Sequence, residues 1–262
     1  MVTKKLKAQK HPKKVKKGKK KVSPWLVGGL LLLLAGAILF PYIRAGKLAT
    51  EGAVVPAETR RFCLDISHHN SGIVWDSLKV VVSRSGRTSK DILHAQHIYP
   101  VHTVVVKATE GEKMKDQIFP EYWEEAGSRD FVRGAYHFFR SSKDPVRQAH
   151  NYMETVSLRH SDLPPILDVE TLHEGCTKEE LNRKVLLWLE TVEKHYGRKP
   201  MVYTSDSFAR DILSPKITGR YPMWIARYNE LPPQFENWTM WQFTEKAVLY
   251  GVSGYVDLSV IR

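Results

Sequence analysis

Pro165-Ile166-Leu167-Asp168-Val169-Glu170-Thr171 reads as an apolar strand carrying two carboxylates, and the segments downstream of it decide the fold. Thr177-Lys178-Glu179-Glu180 is a capping box that opens a helix. Leu181, Val185, Trp188, Leu189, Val192 and Tyr196 share one face of that helix, which ends near Gly197, ahead of Pro200. Met201 to Thr204 then reads as a second strand. Strand, helix, strand in this order implies a parallel pair. The pattern extends upstream: Arg61 to Ser67 alternates Phe62, Leu64 and Ile66 against Cys63, Asp65 and Ser67. His102 to Thr109 is a β-branched run ended by Glu110-Gly111, and Gly134 to Arg140 is an aromatic strand. Asp144-Pro145 caps a helix with the stripe Val146, Ala149, Met153 and Val156. Downstream, Pro222 to Tyr228, Thr239 to Thr244 and Tyr255 to Val260 come in quick succession. The expectation is an α/β barrel of the β/α type, with reduced helices in its C-terminal third and its active site at the C-terminal ends of the strands.

That rule makes the acidic residues selective. Asp168 and Glu170 stand at i and i+2, hence on one face of a strand, with Cα atoms about 6.5–7 Å apart. Desolvation and a like-charged neighbour disfavour ionisation, which lets one acid keep its proton near neutral pH. A general acid acting on a glycosidic oxygen requires that. A single pair of this kind equally suits a structural ion pair. Asp65, ending another apolar strand, and Asp257, in Gly254-Tyr255-Val256-Asp257-Leu258, shift the balance towards chemistry.

Seven motifs occur in order: Leu64-Asp65-Ile66-Ser67-His68-His69-Asn70, Val106-Lys107-Ala108-Thr109-Glu110-Gly111, Gly134-Ala135-Tyr136-His137-Phe138-Phe139, Leu167-Asp168-Val169-Glu170, Trp224-Ile225-Ala226-Arg227-Tyr228, Trp241-Gln242-Phe243-Thr244 and Gly254-Tyr255-Val256-Asp257-Leu258. Together they resemble glycoside hydrolase family 25, the Chalaropsis-type lysozymes, over essentially all of Arg61 to Arg262. The resemblance implies a flattened TIM-like barrel and N-acetylmuramidase activity on the β-1,4 bond from N-acetylmuramic acid to N-acetylglucosamine. It also implies that Glu170 is the acid/base and that Asp168 positions the substrate acetamido group, whose carbonyl oxygen acts as nucleophile in a retaining, substrate-assisted reaction. Asp65 and Asp257 match the remaining active-site acids. No cofactor is implied, and no His/Cys/carboxylate cluster reads as a metal site.

Aromatic residues near these motifs suit sugar stacking or core packing. Tyr136, Tyr203 and Trp241 are the preferred substrate contacts because they lie beside strand ends; Trp224 and Tyr228 are further candidates. Gln242 either hydrogen-bonds a sugar hydroxyl or satisfies a backbone group, and Glu110 is either a groove residue or part of a turn. His68, His69 and His137 read as structural. Between Trp75-Asp76 and the Val106 strand the chain is longer than the family pattern. The extra stretch includes Ser83-Arg84-Ser85-Gly86-Arg87-Thr88-Ser89-Lys90, which is either a loop over the groove or a surface insertion.

The formal net charge of +12 at first suggests a nucleic-acid binder. Eleven lysines between Lys4 and Lys21, with no acid among them, account for all but one of those charges. The basicity therefore belongs to a tail, residues 1–24, expected to be cytoplasmic and to meet anionic lipid headgroups rather than nucleic acid. Trp25 to Ile43 contains no charged residue. It is about long enough to cross a bilayer core and reads as a single transmembrane signal anchor, preferred over a cleaved signal peptide. The lysine excess on its N-terminal side exports the rest of the chain: a linker, residues 44–59, and the catalytic barrel, residues 60–262. The implied partner is peptidoglycan glycan, outside the cytoplasmic membrane (periplasmic in a Gram-negative host). An oxidising compartment would permit a disulfide between Cys63 and Cys176. Two other classes stay open: a catalytically weak peptidoglycan-binding or scaffold protein on the same fold, and a nucleic-acid-associated membrane protein using the lysine tail.

Overall fold

The computed structural model describes residues 51–57 and 61–262. The expected lysine tail and membrane anchor lie outside the described residues. Among those residues no helix is long and apolar enough to cross a membrane.

The strands are β1 (Glu51–Val54), β2 (Phe62–Ile66), β3 (Lys79–Ser83), β4 (Arg87–Ser89), β5 (Ala95–Glu110), β6 (Met114–Lys115), β7 (Val132–Phe138), β8 (Ile166–Asp168), β9 (Met201–Ser205), β10 (Met223–Ala226), β11 (Trp238–Ala247) and β12 (Val256–Ile261). The helices are α1 (Phe119–Gly127), α2 (Pro145–Thr155), α3 (Lys178–Tyr196), α4 (Asp206–Asp211) and α5 (Pro215–Thr218). Strands β2, β5, β7, β8, β9, β10, β11 and β12 close into a ring in that order. Every neighbouring pair is parallel except those of β12, which runs antiparallel to both β11 and β2.

The capping signals act as expected. The Thr177 hydroxyl accepts from the Glu180 N–H at 3.1 Å, and Gly197 ends α3 with φ 66°. The Asp144 carboxylate accepts from the Arg147 N–H at 2.8 Å, with Pro145 opening α2. The stripe of α3 and Tyr152 of α2 pack on outward residues of the barrel, among them Leu64, Val104, Val106, Leu167, Val169 and Val202. Trp188 is fully buried there, so truncation to Ala would cost ~3–5 kcal/mol. After β9 only the short α4 and α5 remain, as the thinning of helix-like sequence predicted.

The barrel interior is built in two layers. Cys63, Val105, Ile166, Met201, Trp224 and Met240 form an apolar lower layer. Gly134 completes it, because a Cβ there would meet Val105 Cγ2 at 3.1 Å and Ile166 Cδ1 at 3.2 Å. Side chains two residues onward share the same face. They are Asp65, Lys107, Tyr136, Asp168, Tyr203 and Gln242, and this upper layer is polar. Strand β12 enters it in reverse, with Ser259 below and Asp257 above.

Three expectations are corrected. The strand expected over Pro165 to Thr171 ends at Asp168: the Val169 N–H still donates to the Tyr203 carbonyl at 2.9 Å, but Glu170 lies beyond the ladder. Glu51–Val54, expected as linker, pairs antiparallel with β4. Gly52 lets it lie tight on the barrel, since a Cβ would sit 2.4 Å from Thr88 Oγ1 and 2.6 Å from the Lys246 carbonyl oxygen. The extra stretch around Ser83–Lys90 is neither a free loop nor irregular. It forms the β3–β4 hairpin, and with β1 and the first half of β5 it makes an antiparallel outer sheet. The Val248 N–H donates to Thr88 Oγ1 at 3.0 Å, fastening this sheet to the barrel.

Candidate active site

The upper layer brings Asp65, Asp168 and Asp257 together at the C-terminal mouth, with Glu170 exposed at its rim. Asp257 reaches this end only because β12 is reversed: it is the register partner of Asp65. Burial raises the Asp65 carboxyl well above the carboxylate range, and the charges of Asp257 and Glu170 add to that. Asp168 is raised well above it too, by burial first and then by Glu170 and Asp65. Asp257 is pushed up to about 6 by burial, Glu245 and Glu170. Glu170 is raised by the partial loss of solvent around its carboxyl at the rim, against the opposing Tyr203 hydroxyl and Lys107 ammonium. Asp65 Oδ1 and Asp168 Oδ1 are buried without a hydrogen-bond partner. Such atoms are costly to leave unpaired, so both are poised to accept a donor from a bound molecule.

Tyr136 and Tyr203 stand in the upper layer beside the acids. Tyr203 packs edge-on against Trp224, ring centroids 4.8 Å apart, above the apolar layer. Gln242 is fully buried. Its Oε1 accepts from the Tyr203 hydroxyl at 2.7 Å and the Tyr228 hydroxyl at 2.8 Å, while its Nε2 donates to Asp65 Oδ2 at 3.4 Å. It thereby positions Tyr203, Tyr228 and Asp65. Trp241 is corrected. One residue from Gln242, it faces outward into the main core, stacks edge-on with Trp238 and Phe243, and donates from Nε1 to the Arg227 carbonyl at 2.9 Å. Glu110 is held by Lys107 Nζ at 2.7 Å and by Arg140. Burial would raise its carboxyl, but these two partners hold it below the usual range. Glu110 is thus the shared ion-pair partner of both cations.

Lys107, whose role went unread in its motif, stands among the acids as the buried cation that opposes the rise of Asp65, Asp168 and Glu170. A lysine inside the run Val104-Val105-Val106 was the available signal. His137 is structural: Thr109 and Gln148 hold its two ring nitrogens, and burial lowers it to about 4. His68 Nδ1 lies 2.6 Å from Asp116 Oδ2 at the rim. Cys63 is buried in the barrel and Cys176 lies in the loop before α3; both are free thiols, so the bridge is absent.

A closed barrel whose mouth gathers several carboxyls raised above their ordinary values defines a class: enzymes that do acid/base chemistry with side-chain carboxyls. The family model for glycosyl hydrolases family 25 matches residues 64–252, and the chain belongs to that family. It is 36% identical over 159 residues to YegX of Escherichia coli (strain K12), covering 60% of this chain and 58% of that protein. It is 26% identical over 223 residues to Lysozyme M1 of Streptomyces globisporus, covering 79% and 70%. A family 25 glycosyl hydrolase from Bacillus anthracis superposes with a TM-score of 0.66 at 25% identity, covering 80% of this chain and 92% of that one. The chain thus spans less than two thirds of the length of the first curated relatives it matches.

Proposed function

We propose that this chain is a peptidoglycan hydrolase of lysozyme type that cuts the β-1,4 bond between N-acetylmuramic acid and N-acetylglucosamine. The observation that carries the reading is the group of four carboxyls at the mouth, with the raised Glu170 at the rim and the raised, half-unpartnered Asp168 inside it. The names of relatives, "Lysozyme M1", "Autolytic lysozyme" and "N,O-diacetylmuramidase", support the substrate class.

In the proposed mechanism protonated Glu170 gives its proton to the glycosidic oxygen as the bond to C1 breaks. Asp168 Oδ1 accepts from the acetamido N–H, so that the acetamido carbonyl oxygen attacks C1 and forms a cyclic oxazolinium. Water deprotonated by Glu170 then opens this ring, returning the proton to Glu170 and retaining the anomeric configuration. Asp65 and Asp257, in their ionised forms, supply negative potential facing the positive charge that develops at the sugar. The placement in the cell belongs to the same proposal. Residues 1–24 stay inside against anionic lipid, 25–43 span the membrane, 44–59 connect, and the barrel works outside on glycan.

The test is digestion of purified peptidoglycan by the wild type and Glu170→Gln, with borohydride reduction and mass spectrometry of the products. New reduced N-acetylmuramic acid ends that vanish in the variant are expected. Reduced N-acetylglucosamine ends would refute the bond, an inverted first product would refute the mechanism, and glycan bound but uncut would favour the binding-protein class.

A further inference from the structure

A second cavity adjoins the mouth. It has a volume of about 430 Å³, within the size range of small-ligand sites. Tyr228 and Glu245 form its inner wall. Both also bear on the carboxyls of the mouth: the Tyr228 hydroxyl shares Gln242 with Tyr203, and the charge of Glu245 raises Asp257 more than that of Glu170 does. The outer wall is strand β1 with Arg87 of β4, both supplied by the outer sheet. Strand β1 precedes residue 64, where the family match begins, and Arg87 lies inside the matched span. This wall is held in place, because Gly52 fits against the Lys246 backbone with no room for a side chain and Thr88 accepts from Val248.

The chemistry of the lining differs from that of the mouth. Arg87 and Lys246 are set among the carboxylates Glu51, Glu230 and Glu245, beside the rings of Tyr228 and Tyr255, each 51% exposed. A neutral sugar does not call for charges of both signs. A short peptide bearing both carboxylates and amines does, and peptidoglycan carries such a branch on the lactyl group of N-acetylmuramic acid. We infer that this side cavity seats the peptide branch of the glycan strand, so that the enzyme distinguishes peptide-bearing from bare glycan. The inference rests on the peptidoglycan reading above.

The test uses the full chain and two substrates, peptide-bearing glycan and the same glycan stripped of peptide by an amidase. The wild type is expected to show a kcat/KM at least fivefold higher on the peptide-bearing strand. Arg87→Ala, Lys246→Ala and Gly52→Val should bring that ratio towards one while leaving the rate on bare glycan unchanged. A wild-type ratio of one overturns the inference. Equal losses on both substrates in the folded variants also overturn it, and assign the cavity to a further sugar. Failure of the wild type to cut either substrate overturns instead the hydrolase reading beneath it.

Discussion

Asp65 and Asp257 are register partners across the β2–β12 pair, two carboxyls side by side on the only antiparallel junctions of the barrel. Their proximity lowers the stability of the folded state when both ionise.

The consequence for pH comes from the direction of the shift. Asp257 titrates near 6 in the folded chain, above its ordinary value, so its favourable contribution is full at acid pH and is lost as pH rises through about 6. Asp257→Asn should therefore stabilise the protein at pH 7.5 by ~1–2 kcal/mol, after allowance for solvent screening, with little change at pH 4. Thermal melts at the two pH values check this; a variant destabilised at pH 7.5 would contradict the sign.

Lys107 pulls the Glu170 carboxyl down. Its replacement by Met should let Glu170 hold its proton to higher pH, moving the alkaline limb of kcat/KM upward. It should also lower Tm, since Glu110 loses a partner. A pH–rate profile with an unmoved or acid-shifted limb would refute the assignment.

Gln242→Leu removes the shared acceptor of Tyr203 and Tyr228 and the donor to Asp65. The buried Tyr203 hydroxyl left unpaired should cost ~1–3 kcal/mol of stability. The loss of orientation at the floor should appear in kcat more than in KM. Steady-state kinetics on soluble glycan, beside denaturant melts, separate the two effects; a change confined to KM would make Gln242 a sugar contact instead.

Far from the mouth, Arg133 grips Asp162 through Nε at 2.8 Å and Nη2 at 3.2 Å, almost wholly buried, and lies 3.9 Å above the Trp123 ring. Asp162→Asn should cost ~3–5 kcal/mol by leaving a buried guanidinium charge unpaired. Activity per folded molecule should be unchanged. Urea titration with active-site counting tests both halves.

Native thiol titration should find Cys176 alone reactive, with Cys63 appearing only on unfolding. Burial raises the Cys63 thiol well above its ordinary value and encloses it in the barrel. A non-reducing peptide map showing a Cys63–Cys176 bridge would contradict the structure.

The barrel was legible because its strands keep strict parity. Leu64, Leu167 and Val202 pack outward while Asp65, Asp168 and Tyr203 turn in, and the acids stand out against the apolar lower layer. A one-residue slip would exchange the two faces, so the pattern and the register specify each other. Trp241 and Gln242 show the limit. Motif position put both at the site, but parity separates them, and neither burial nor the tyrosine pair on Gln242 is visible in one dimension. Strand β1 was illegible for another reason: four residues fixed by Gly52 and a shared edge carry no hydrophobic period. The exit of the chain from the ladder before Glu170 was not legible, because no Gly or Pro marks it.

Strand β5 is 16 residues long, and only its second half belongs to the barrel; the first half is the edge on which β3 and the hairpin are laid. The hairpin therefore needed no new scaffold, only a longer version of a strand already present. A change on that extension bears first on the outer sheet, whereas a change between Val104 and Lys107 bears on the pairing with β2 and β7 that carries Lys107 to the mouth. One continuous strand thus serves two layers that can be altered separately.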